Sequence, residues 1–290
     1  MTKKDRAKRP GLPLPWGGLL LWALVVASPG SARAQQRPFP YALGDQDRIV
    51  APAALVSSAL GLYLVNRVEP ITLAEITALD ARNVNGLDRG ATSNWSTGWQ
   101  DVSDWSRNIA VATSGLIAAS PYLLDGEWSE TVILGAMFAE TMSLVVGVTA
   151  ITKGLATRTR PYAYNTSLTP VQRLDIAGRD SNSVRLSFIS GHTSMAFAAA
   201  TLLSTVYSDI HGPTTTSKIV WGASLSLAAL SGYSRVHGGM HFPSDVVAGA
   251  AVGATVGYLI PALHRVGADP PVSVSASPGG VQLRLAVGGR

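Results

Sequence analysis

The sequence predicts an all-α protein, a helical bundle of about six helices. Two observations carry that expectation. Of the 290 residues, 47% are hydrophobic and only 14% are charged, against about 25% charged in ordinary soluble domains. Those apolar residues also gather in long runs rich in Ala, Gly, Ser and Thr, the small residues that let helices approach closely. The chain is long enough to bury a sizeable core in one domain.

The first 34 residues read as a leader. Lys3, Lys4, Arg6, Lys8 and Arg9 form a basic start, 19–27 is a short apolar core, and Ala32-Arg33-Ala34 has the form of a cleavage site. The expected mature start is Gln35. The apolar run is short for a full membrane span. The leader also carries the whole charge surplus: six basic residues and one acid lie within it, which leaves 17 basic against 17 acidic residues. Nucleic acid is therefore not an expected partner. With no cysteine, a thiol nucleophile and a cysteine-bound metal are excluded.

Residues 35–108 form an N-terminal region. Positions 35–48 read as a flexible lead-in. Positions 49–65 read as an apolar helix, broken by Pro52 and ended near Glu69-Pro70. A short helix is expected over 71–80 and a loop over 83–98. Trp95, Trp99 and Trp105 read as packing residues or an interfacial belt; the alternative is a lid. Five apolar segments follow within a helical domain, 109–267: 109–124, 131–152, 193–210, 219–233 and 246–263. Short turns join the first to the second and the third to the fourth. The connection after 152 is long and cationic, with six basic residues and two acids from 153 to 185. Residues 268–290 read as a tail, either one strand or disordered.

Three stretches carry reactive groups, each against a predicted helix end. The first runs from Lys153 to Arg160-Pro161 and suits a doubly negative group. It also reads as a cationic helix C-terminus. The second is Ser190-Gly191-His192, where backbone N–H groups and a small hydroxyl at a helix start suit an anion. It also reads as a plain cap. The third is Ser234-Arg235 with His241 and Asp245. The last two are four apart, so on a helix they share a face. A carboxylate there can hold one imidazole nitrogen and leave the other to attack. His237 has no carboxylate at a matching spacing.

Together these stretches resemble the type 2 phosphatidic acid phosphatase superfamily, whose fold is shared with bacterial acid phosphatases and vanadium haloperoxidases. Lys-x6-Arg-Pro is matched by Lys153 to Pro161, and Ser-Arg-x5-His-x3-Asp by Ser234 to Asp245. Pro-Ser-Gly-His is matched except that Ile189 replaces the proline. The resemblance covers 109–263. It implies that His241 attacks phosphorus and forms a phosphohistidine, that Asp245 orients it, and that His192 protonates the leaving oxygen and then activates water. Lys153, Arg160 and Arg235, with Ser190 and the Gly191 N–H, are implied to hold the phosphoryl oxygens. No metal or other cofactor is implied for the hydrolase. The implied substrate is a phosphorylated lipid or small phosphate ester, as a monoester or pyrophosphate. The alternatives are a vanadium-dependent haloperoxidase and a soluble periplasmic non-specific acid phosphatase.

The location follows from the spans. An exported protein in the inner membrane with a periplasm-facing site is expected if 49–65 does not cross; counting it as a span reverses the site to the cytoplasm. Glu140, in the middle of an apolar segment, argues for the soluble periplasmic alternative.

Overall fold

The computed structural model describes residues 38–123, 127–179, 183–267, 272–277 and 280–285. The leader at 1–34, the centre of the expected turn near 125 and parts of the tail lie outside these residues. Among them, six long helices form the bundle: α1 (Asp47–Asn66), α4 (Thr97–Leu123), α5 (Trp128–Ala156), α7 (Gly191–His211), α8 (Thr215–His237) and α9 (Pro243–His264). The expected all-α bundle is the architecture found. Shorter helices α2 (Leu73–Ala78), α3 (Gly86–Arg89) and α6 (Pro170–Arg179) lie in the connections. The tail holds a two-stranded antiparallel hairpin, β1 (Val272–Ser277) with β2 (Gly280–Leu285), where one strand or none was expected.

The lead-in is tied down at Tyr41. Its backbone bridges to Arg265, and its hydroxyl donates to Asp209 at 2.6 Å. Tyr41 is buried, which offsets the ordering of a short polar segment. Pro52 does not break α1. The bond it forfeits would reach the Arg48 carbonyl, near an exposed helix start where water can serve.

Small residues set the helix spacing. α1 and α5 run parallel, with Ser57 against Gly147 and Leu64 against Gly154; a Cβ on Gly147 would lie 2.3 Å from the Ser57 Oγ. On α9, Gly249, Gly253 and Gly257 form one stripe against α7. A Cβ on Gly253 would stand 2.2 Å from the Ser194 carbonyl oxygen, so only glycine allows that approach. A core that includes Leu134, Met137, Val145, Leu202, Val206, Val220 and Ile260 fills the space between the helices.

The polar stretch before α4 is more structured than a loop. A capping box starts α2, with Thr72 accepting from the Glu75 N–H and Glu75 from the Thr72 N–H. Asn85 caps α3. Trp95 meets Tyr162 edge to face at 5.4 Å, and Trp99 meets Tyr233 at 5.6 Å. Trp95 thus ties the stretch before α4 to the turn at 161–164, and Trp99 packs the start of α4 on α8. Helix α4 begins at Thr97, twelve residues before the expected start, because polar residues face its neighbours there: Ser103 donates to the Ser231 carbonyl at 3.2 Å.

Candidate active site

The three motif stretches meet at one end of the bundle. Lys153 lies in the last turn of α5. Thr157 then caps the helix in the left-handed conformation (φ 43°) and turns the chain, so that Arg158 and Arg160 follow on the return. Arg235 lies in the last turn of α8, and the turn to α9 carries His241. Gly239 in that turn has φ +73° and packs on the Asn94 carbonyl, where any side chain would collide. Ser190 caps α7, with its oxygen accepting from the Thr193 N–H and hydroxyl. Its own O–H is not spent on these bonds. A Cβ on Gly191 would lie 3.7 Å from the Lys153 ammonium, so glycine keeps room beside that cation.

His241 is 1% exposed. Its Nδ1 lies 2.7 Å from the Ser187 carbonyl oxygen. A carbonyl can only accept, so Nδ1 carries the proton and Nε2 the lone pair. Asp245, the expected hydrogen-bond partner, stands 3.6 Å from Nδ1. Its oxygens are engaged elsewhere: they accept from Arg158 at 2.5 Å, the Ser187 hydroxyl at 2.5 Å and the Phe242 N–H at 2.9 Å. The geometry therefore corrects the simple pairing read from the spacing. Asp245 fixes the Ser187 segment, and Ser187 in turn orients the ring.

Burial pushes the His241 ring well below its usual pKa, and Arg160, Arg235, Lys153 and His192 add to the effect. The ring is therefore neutral, with a lone pair among cations. Arg160 is held by the Ser183 carbonyl at 2.9 Å, the Ser183 hydroxyl at 2.9 Å and the Met240 carbonyl at 3.3 Å. His192 is also shifted, to about 3. Burial is the largest cause, opposed by a bond with Asp104 and reinforced by Arg235 and Arg107. His237 stays outside, stacked on Tyr233 and Trp99.

Four supporting groups escape sequence reasoning. Asp88 accepts from Arg158 at 2.7 Å, from the Ser244 hydroxyl at 2.6 Å and from the Ser244 N–H at 3.0 Å. Its carboxyl is fully buried, yet these bonds outweigh burial and hold it at about 2. Arg158 thus bridges Asp88 and Asp245, and it covers the Phe242 ring at 4.1 Å. Asp104 and Arg107, on α4, both reach the His192 Nε2, at 2.5 and 2.7 Å. One ring nitrogen cannot donate and accept at once. Asp104 matches the protonated Nε2, and Arg107 the deprotonated one. Arg158 had a signal, since it lies inside the first motif. The other three lie far upstream, with no spacing that links them.

The depressed pKa of the half-buried His192 gives a pH prediction. In the unfolded chain His192 titrates near 6.5, while in the folded chain its pKa is about 3. Between those values the unfolded chain binds more protons, so stability is full above about 6.5 and falls as pH drops toward 3. Thermal unfolding followed from pH 7 to pH 4 is expected to show a falling midpoint, with a smaller fall in His192→Gln. An equal fall in both proteins would remove His192 from the account.

Residues 132–266 match the model of the PAP2 superfamily. The chain is 41% identical over 75 residues to the lipid A 1-phosphatase of Porphyromonas gingivalis, covering 25% of this chain and 15% of that protein. It is 34% identical over 107 residues to the lipid A 4′-phosphatase of the same organism, covering 35% of this chain and 42% of the relative. The chain thus spans less than half the length of either relative. A solved transmembrane PAP2-type phosphatidylglycerolphosphate phosphatase from Bacillus subtilis aligns over 85% of this chain and 93% of its own, at 16% identity and a TM-score of 0.38.

Proposed function

We propose that this chain, whose residues 132–266 match the model of the PAP2 superfamily, hydrolyses a phosphate monoester or pyrophosphate on a lipid through a phosphohistidine. The carrying observation is the His241 ring, whose Nδ1 is held by a carbonyl and whose Nε2 keeps its lone pair among Lys153, Arg160 and Arg235. Nε2 attacks phosphorus, and the three cations take up the charge on the equatorial oxygens. Burial is the largest cause of the depressed His192 pKa; the dianionic phosphate offsets the smaller contributions of Arg235 and Arg107 and so raises it. Asp104 stabilises the imidazolium, which protonates the leaving oxygen. The neutral ring then activates the water that cleaves the N–P bond. Three cations do the electrostatic work that a divalent ion does elsewhere.

A lipid substrate fits a bundle set in a bilayer. Among the described residues, three helical segments are long and apolar enough to cross one: Asp47–Asn66, Trp128–Tyr164 and Pro243–His264. On α1, Leu55, Val56, Leu60, Leu62 and Tyr63 are exposed among the described residues, the pattern that acyl chains would cover. Glu140, the charge that argued against a span, points inward and is buried. The parallel packing of α1 on α5 puts Asn66 at the site end and Asp47 at the other. If α1 crosses, residues before Asp47 and the site lie on opposite faces. An exported leader and a periplasm-facing site then exclude each other.

We favour the periplasm-facing site, with Asp47 toward the cytoplasm. The absence of cysteine makes the test clean. In intact cells, Glu69→Cys at the site end is expected to react with a membrane-impermeant maleimide and Arg48→Cys is not. The reverse pattern would place the site inside. For the activity, membranes bearing the protein are expected to release phosphate from lipid A phosphate, phosphatidic acid, phosphatidylglycerol phosphate or undecaprenyl pyrophosphate. No release from any of these would overturn the lipid phosphatase reading.

A further inference from the structure

At the end of the bundle away from the phosphoryl site, three side chains that no step above uses converge from α1, α5 and α9. His264 Nε2 lies 2.9 Å from Asp47 Oδ1 and 3.5 Å from Glu140 Oε2, and the three donor atoms lie within 4.8 Å of one another. By helix rise, His264 is roughly 28 Å along α9 from Asp245. This cluster is therefore separate from the phosphate cradle. We propose that Asp47, Glu140 and His264 form a binding site for one divalent transition-metal ion, of which Zn2+ is the best fit.

The ligand set is oriented for that task. The His264 Nδ1 donates to the Ile260 carbonyl at 2.8 Å, which fixes the ring with Nε2 facing the two carboxylates; once its proton is displaced, Nε2 presents a lone pair to an ion between them. The Asp47 Oδ2 accepts the Gly44 N–H at 2.6 Å, which turns Oδ1 inward. Glu140 is 6% exposed, and its Oε2 has no hydrogen-bond partner. A lone pair aimed at two carboxylate oxygens is repulsive unless a cation or proton sits between them. Arg265, next along the chain, does not supply that charge, because it is bonded to Asp209 at 2.8 and 3.2 Å.

The dimensions suit a small ion. Donors about 2.0–2.2 Å from a tetrahedral Zn2+ lie roughly 3.4 Å apart; His264 Nε2 stands 2.9 and 3.5 Å from the two carboxylate oxygens, and all three donors lie within 4.8 Å. One imidazole and two carboxylates favour Zn2+ over Ca2+ or Mg2+, which take oxygen alone. Asp47 keeps 21% of its side chain exposed, which opens a route from solvent. The three ligands come from the three most apolar long helices. An ion there would staple them at the end where no motif holds them, and it would act on stability rather than on phosphoryl transfer.

The test uses the full-length protein in detergent, stripped with a chelator and dialysed. Calorimetric titration with Zn2+ is expected to give one ion per chain. At a hundredfold excess over Kd the unfolding midpoint should rise by about 5 °C. Glu140→Gln and His264→Gln should lose both signals, while His241→Ala, at the other end, should keep them. No Zn2+ uptake by the wild type would overturn the proposal and leave a shared proton as the bridging charge. Equal uptake by the Glu140 and His264 variants, or loss in His241→Ala, would overturn it as well. Should Glu140→Gln fail to fold, Co2+ added to the wild type must give visible absorption bands that Zn2+ abolishes. Asp47→Asn, at the exposed rim, must weaken them; unchanged bands count against the site.

Discussion

Replacing His241 with alanine is expected to lower phosphate release by about four to six orders of magnitude, the scale on which removal of a covalent nucleophile acts. The prediction separates chemistry from folding. His241→Ala also removes the bond to the Ser187 carbonyl, and a buried acceptor left unsatisfied costs about 1–3 kcal/mol. The variant should therefore unfold a few degrees earlier and still fold. Phosphate release by stopped assay, set beside thermal unfolding of the same sample, checks both halves. A folded variant that keeps a tenth of the activity would mean that another group attacks phosphorus.

Asp88→Ala is expected to destabilise the protein by about 3 kcal/mol, because it removes one partner of a buried ion pair. The figure is set at the low end since Arg158 keeps 26% of its side chain exposed. The change also strips Ser244 of acceptors for its N–H and hydroxyl. Arg158 would then be held by Asp245 and the Ser244 hydroxyl. The Asp245–Ser187 linkage that orients His241 would loosen with it, so turnover should fall alongside stability. Thermal unfolding in detergent should show the midpoint lowered by about 6–12 °C. A shift of less than about 2 °C would show that the Asp88–Arg158–Asp245 chain is not what holds this end of the bundle together.

The motif residues were legible because each stands at a helix terminus, where spacing along the chain becomes spacing in the site. Lys153 ends α5, Ser190 caps α7, Arg235 ends α8 and Asp245 opens α9. The apolar runs gave the bundle, since long small-residue-rich segments have few other ways to bury themselves. What spacing could not give is the direction of a hydrogen bond. His241 and Asp245 are four residues apart, yet it is the Ser187 backbone carbonyl that accepts the hydrogen bond from the imidazole N–H. Asp88 and Asp104 were hidden for another reason. Asp88 lies in polar sequence before α4, and only the packing of that region onto the bundle brings it to Arg158; Asp104 lies in the polar first turns of α4, and only the packing of that helix beside the start of α7 brings it to His192. Glu140 was visible as an anomaly, a charge in an apolar run, but its partners Asp47 and His264 lie 93 and 124 residues away.

The central claim is that His241 carries the phosphoryl group during turnover. Its most direct test is rapid quenching of the protein with 32P-labelled p-nitrophenyl phosphate, whose good leaving group does not depend on the His192 proton. A protein-bound label is expected, stable in base and lost in acid as a phosphoramidate is, and mapping to His241. The label should accumulate further in His192→Gln, where water is no longer activated. A label that survives in His241→Ala, or turnover by the wild type with no label at any quench time in either protein, would show that His241 does not carry the phosphoryl group.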